Sequence, residues 1–235
     1  MLSLYVSILL LFSTMTPVAA HAENTTSLNA NNITAVEITG DASRLELSTK
    51  DTEPFSATTN SIATGWFSRW YSSWFSGSCE SGTTMNLVDR TLSISVASTP
   101  WLSNSECEVS IRANVPKNTN IGIRQNALLA KLTGDFGAIH ISSNAADVSL
   151  EGYASGLDVS GNAIKTDVRY ERSNQDETIR LNSNALDAYF SFGADTPISY
   201  TVNAMASFID SKRHNTPGAK PSLDIRGAFV RATIR

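Results

Sequence analysis

Residues 121–168, IGIRQNALLAKLTGDFGAIHISSNAADVSLEGYASGLDVSGNAIKTDV, repeat one dipeptide at a spacing of 18: Asn126-Ala127, Asn144-Ala145 and Asn162-Ala163. Asn184-Ala185 and Asn203-Ala204 continue it at separations of 22 and 19 residues. Apolar positions hold a fixed frame around each Asn. Five and three residues before it stand Ile121 and Ile123, Ile139 and Ile141, Leu157 and Val159, Ile179 and Leu181, Ile198 and Tyr200. Six residues after it stand Leu132, Leu150, Val168, Phe190 and Ile209. Each unit therefore reads as two short strands of period 2 hinged at the Asn. Such a unit cannot bury its apolar side alone. Units of 18–22 residues that alternate inward and outward predict an all-β, single-domain parallel β-helix or β-solenoid whose coils stack about 4.8 Å apart.

The frame reaches both ends of the chain. Val36, Ile38, Leu45 and Leu47 fit it around Asp41, and Leu223, Ile225, Ala232 and Ile234 fit it around Ala228, so these two units are expected to be the terminal coils. Asn tolerates the left-handed backbone of a tight corner, and its amide both donates and accepts. Asn126, Asn144, Asn162, Asn184 and Asn203 are thus expected to form a structural ladder along the stack.

Moving outward, residues 2–12 (LSLYVSILLLF) are an apolar run too short to span a bilayer comfortably, followed by Pro17 and the small-residue site Ala20-His21-Ala22. Residues 1–22 read as a signal peptide, cut after Ala20 or Ala22 or retained as an anchor; no Lys or Arg precedes Arg44. Residues 23–34 are polar and read as a flexible leader, leaving 35–235 as the domain. The expected location is exported, either periplasmic or secreted to the cell surface. Cys79 and Cys107 are the only cysteines, and in an oxidising compartment they read as a structural disulfide worth roughly 3–4 kcal/mol. His140 and His214 lie at no metal-ligand spacing from them, so no metal site is expected.

Residues 64–77, TGWFSRWYSSWFSG, place Trp66, Phe67, Trp70, Tyr71, Trp74 and Phe75 on one half of a helical wheel. The serines and Arg69 fall on the other half. The segment reads as one amphipathic helical insertion. Its aromatic face would contact a membrane surface, an envelope component or a protein partner, or else cap an end of the stack.

Residues 109–161, VSIRANVPKNTNIGIRQNALLAKLTGDFGAIHISSNAADVSLEGYASGLDVSG, resemble the bacterial putative-adhesin domain of unknown function. They share its strand, Val-Pro, short turn and strand, followed by coils with a small residue at each corner. The likeness runs from about 36 to 234 and implies an extracytoplasmic β-helical scaffold. Two departures stand out: Asn-Ala replaces the frequent Ser-Gly, and an aromatic insertion precedes Cys79.

A net charge of −4, with 17% charged and 41% hydrophobic residues, gives no electrostatic footprint for nucleic acid. Catalytic readings have little to work with. The outward column Gly122, His140, Asp158, Arg180 and Ser199 offers one acid/base pairing around Asp158, too few groups for a polysaccharide lyase or hydrolase. The column Leu129, Asp147, Lys165, Asp187 and Ala206 reads as a surface charge ladder. No cofactor fingerprint and no catalytic residue is assigned. The reading is a non-enzymatic exported scaffold or binding protein of the bacterial envelope. Its alternatives are a purely structural solenoid with the aromatic helix as end cap, and a carbohydrate-active enzyme.

Overall fold

The computed structural model describes residues 26–63, 82–97, 107–174 and 176–235. Among them every regular element is a strand, so no described helix is long and apolar enough to cross a membrane. The expected signal peptide, the aromatic helix at 64–77 and Cys79 lie outside the described residues. Cys107 opens a strand opposite Ala63.

Period-2 alternation builds the strands, because each inward residue escapes water only when a neighbouring rung lies on it. The strands are β1 (Thr26–Asn29), β2 (Ala35–Ser48), β3 (Ser56–Ala63), β4 (Thr84–Val88) and β5 (Thr91–Val96). There follow β6 (Cys107–Asn114), the long β7 (Asn120–Tyr170), β8 (Thr178–Ser191), β9 (Ser199–Ser211) and β10 (Ser222–Ile234). They form a single mixed sheet in the order β1-β3-β6-β2-β7-β8-β10-β9, with β5 also on β2 and β4 on β5.

Its centre is parallel. Val36 pairs with Ile121, Leu157 with Ile179, and Ile179 with Leu223, which in turn pairs with Tyr200. Val36, Ile121, Leu157, Ile179 and Leu223 are all buried, as are Leu47, Leu132, Leu150, Val168, Phe190 and Ile234 further along the rungs. Each such side chain contributes roughly 1.5–3 kcal/mol on leaving water.

Three expectations need correction. Residues 26–34 are not a loose leader: β1 pairs antiparallel with β3, and Ala30 and Ile33 are buried in the core. The 36–47 and 223–234 rungs are not terminal either. β2 lies between β7 and the pair β5 and β6, and β10 lies between β8 and β9. At both ends the chain places an outer rung and then returns inside it. Period-2 patterning fixes which side chains point inward but carries no record of the order in which rungs stack.

Asn203 leaves the ladder for a related reason. Asn203 faces Arg226, and Met205 takes the place opposite Ala228 where the other rungs carry Asn or Asp. A register slip of two residues leaves every inward side chain inward, so the hydrophobic frame cannot detect it, whereas a slip of one would reverse the faces.

Candidate functional site: the corner groove

At the hinge of each rung the backbone turns, and four columns of residues run side by side along the stack. The outermost is Asp41, Asn126, Asn144, Asn162 and Asn184. Asn126 donates to Asp41 Oδ1 at 2.8 Å, Asn162 to Asn144 Oδ1, and Asn184 to Asn162 Oδ1 at 2.8 Å. These amides are exposed, so their bonds compete with water and set the alignment of rungs more than the total stability. Asn162 makes two of them. Asn162→Ala is expected to lower the thermal midpoint by about 4 °C, whereas Asn182→Ala, an exposed position one residue before Ser183, should shift it by less than about 1 °C. Equal shifts in calorimetry would remove the ladder from the account.

One residue earlier stands a column the sequence reading passed over: Gly40, Gln125, Ser143, Gly161, Ser183 and Gly227. Ser143 donates to the carbonyl of Ala145 at 2.8 Å, and Ser183 donates to those of Asn162 at 3.0 Å and Ala185 at 2.9 Å. The glycines sit where a carbonyl of the rung below comes close. A Cβ on Gly161 would lie 1.9 Å from the Ser143 oxygen. The signal was visible as a small or hydroxyl residue before most corner asparagines.

One residue after the corner come Ala42, Ala127, Ala145, Ala163, Ala185 and Ala206, all exposed, with Phe229 completing the row. Their methyl groups floor a groove of about 1130 Å³. It crosses seven rungs, hence about 29 Å at the inter-strand spacing. Leu129, Phe208 and Phe229 stand in it 40%, 66% and 66% exposed.

The same residues' outer neighbours form a charged rim that closes on itself. Arg44 Nε meets Glu108 Oε1 at 2.6 Å, Lys165 Nζ meets Asp147 Oδ2 at 2.8 Å, and Arg231 pairs with Asp187. Hydrogen bonding from the Arg231 guanidinium holds the Asp187 carboxyl below the usual carboxylate range, and the bond to Asp147 raises Lys165. Every cation of this rim has its anion. The column expected to run through Asp147, Lys165 and Asp187 does so, but it continues to Arg231 and Phe208, with Ala206 displaced to the floor by the two-residue slip of β9.

The column around His140 brings less together. Arg180 faces Asp158 on one side and Asp224 on the other, and Asp224 is bonded to Arg226 at 2.8 Å. Among the described residues no group of three or more His, Cys, Asp and Glu is arranged to hold a metal ion. The six aromatics Trp66, Phe67, Trp70, Tyr71, Trp74 and Phe75 lie outside the described residues.

No protein-family model and no curated protein matches the chain. Solved structures of bacterial putative adhesins do resemble it. One is a putative cell adhesion protein from Clostridium sporogenes, with a TM-score of 0.47 at 9% identity, covering 90% of this chain and 98% of that one. Another is a putative adhesin from Bacteroides fragilis, with a TM-score of 0.42 at 11% identity, covering 91% and 98%. A third, described as a putative lipid binding protein from Parabacteroides distasonis, has a TM-score of 0.37 at 10% identity and covers 89% and 96%.

Proposed function

We propose that this chain is an exported, non-catalytic β-solenoid of the bacterial cell envelope that binds acyl chains of envelope lipid along its corner groove. One observation carries the reading: an apolar floor about 29 Å long, made of six alanine methyl groups and Phe229 and bordered by charges that are already paired with each other. A polypeptide laid on that floor would bring amides and carbonyls to a surface of methyl groups, at a desolvation cost for each left unpaired. An acyl chain brings none. An acyl chain laid along the Ala column would meet Leu129, Phe208 and Phe229, and apolar area removed from water would supply the affinity at roughly 25 cal/mol per Å².

Export rests on the apolar run and small-residue site of residues 1–22, and a second contact with the bilayer through Trp66, Phe67, Trp70, Tyr71, Trp74 and Phe75 belongs to the same reading. With the rim charges mutually satisfied, binding should depend little on salt or on anionic headgroups.

The test uses a fluorescent long-chain acyl probe and zwitterionic phosphatidylcholine vesicles. Wild-type protein should bind both at low and high salt. Ala145→Asp/Ala163→Asp should weaken binding by roughly 100-fold, because it puts two carboxylates on the floor while altering only exposed side chains. Binding unchanged in that variant, or no binding by wild type, would sink the proposal.

A further inference from the structure

The two edges of the sheet are finished differently. At the β6 end, β3 pairs antiparallel with β6 and β1 with β3, while β4 pairs antiparallel with β5, so the parallel stack is covered there. At the other end β9 pairs with β10 and, among the described residues, with no strand on its far side. The core runs out at this edge: Tyr200, Val202, Ala204 and Ile209 point inward yet are only partly buried, and Met205 at the corner is 87% exposed.

The beginning of the β9 edge shows what the rest lacks. Asn215 accepts from the Tyr200 amide at 3.0 Å and donates to the Tyr200 carbonyl at 2.9 Å, while the Thr216 amide donates to the Ile198 carbonyl at 2.9 Å. The Asn215 side chain thus gives Tyr200 the two bonds a neighbouring strand would give. By strand alternation Val202 and Ala204 present their amides and carbonyls along the same row, past the reach of that cap. The strand also lacks the usual protection of an edge. Residues 199–211 contain no Lys, Arg or Pro, and their one charge, Asp210, is paired with Arg235.

We infer that β9 is the interface with a second copy of this chain, the two β9 edges adding to each other antiparallel about a twofold axis. The occupant follows from both ends of the stack. A head-to-tail copy would have to place β1 or β4 on β9, and those outermost strands have only four and five residues to set against the thirteen of β9. A tail-to-tail copy meets an identical bare row of amides, carbonyls and apolar side chains, with no like charges brought together because Asp210 is neutralised within its own subunit. The dimer joins the two cores and buries Met205.

The test is the oligomeric state of the full chain after export, measured by sedimentation over a range of concentrations. Wild type should be a dimer at micromolar concentration and not grow beyond it. Thr201→Lys/Met205→Lys changes two exposed side chains of β9 that do not line the groove, and should raise the dimer dissociation constant by roughly 100-fold with an unchanged circular dichroism spectrum. Hydrogen exchange separates edge pairing from any other association: the Val202 and Ala204 amides should be protected in wild type and exchange quickly in the variant. A monomeric wild type, a ladder of higher oligomers, or a dimer that leaves these amides unprotected would each overturn the inference. Acyl-probe binding by the monomeric variant should match wild type, which keeps this result apart from the fate of the groove.

Discussion

Gly152→Ala is expected to lower the thermal midpoint by about 10 °C or more. Two independent costs meet at this residue. Its φ of +130° is a conformation L side chains rarely adopt, at roughly 1–3 kcal/mol, and a Cβ there would stand 2.2 Å from the carbonyl oxygen of Gly134. Since that oxygen is backbone, it can yield only by separating two rungs.

Three other glycines divide the costs. Gly218 has a φ of +81° with nothing within 4 Å, so Gly218→Ala should cost about 1 kcal/mol through the backbone alone. Gly161→Ala meets the Ser143 oxygen without a positive φ. Gly156→Ala, whose nearest contact would be 4.0 Å away, should change stability by less than about 0.5 kcal/mol. Calorimetry that ranked Gly218→Ala with Gly152→Ala would show that backbone strain, and not the closeness of rungs, dominates.

Asn114→Ala should also be strongly damaging, at about 2–4 kcal/mol or roughly 8 °C. Asn114 ends β6 and is 7% exposed. Its Oδ1 accepts from the Lys50 amide at 2.8 Å and from the Ser48 hydroxyl at 3.0 Å. Its Nδ2 donates to the carbonyls of Lys50 at 2.9 Å, Glu53 at 3.0 Å and Pro54 at 3.3 Å. One side chain therefore fixes the whole turn from β2 to β3. Alanine leaves the part-buried Lys50 amide without its acceptor, the costly half of a broken hydrogen bond. Faster exchange of that amide, together with the lower midpoint, would separate loosening of the turn from a general loss of stability. An unperturbed Lys50 amide would show that water replaces the asparagine.

Much of the core was legible because burial and period coincide. Ile121, Ile123, Ile139 and Ile141 could be assigned inward from spacing alone, and they are buried. What was not legible is whatever depends on the rung alongside. Asn203 carries the repeated dipeptide and still falls two residues from the corner, because the register of β9 on β10 is set by a strand that comes later in the chain and is invisible in the spacing of the repeat. Nothing singled out Asn114 in the sequence, because its role depends on residues 60 to 66 positions earlier in the chain. Ala30 and Ile33 sit in a polar stretch whose composition concealed two core positions. Much of the groove was present in the sequence as the Ala of four Asn-Ala pairs, Ala127, Ala145, Ala163 and Ala185. A floor exists only when several such residues lie abreast, and one rung read by itself shows an exposed alanine.

The insertion of β10 between β8 and β9 has a consequence for how the molecule is born. The ribosome delivers β9 before the segment it will rest on, so the growing stack cannot simply zip up in the order of synthesis. Until residues 222–234 emerge, β8 and β9 each hold an unmatched flank. The same is true of β2 until residues 120–133 arrive to cover its other side. Closure is therefore late at both extremities, and a nascent chain halted before β10 would carry sticky strands that invite chaperones or neighbouring chains.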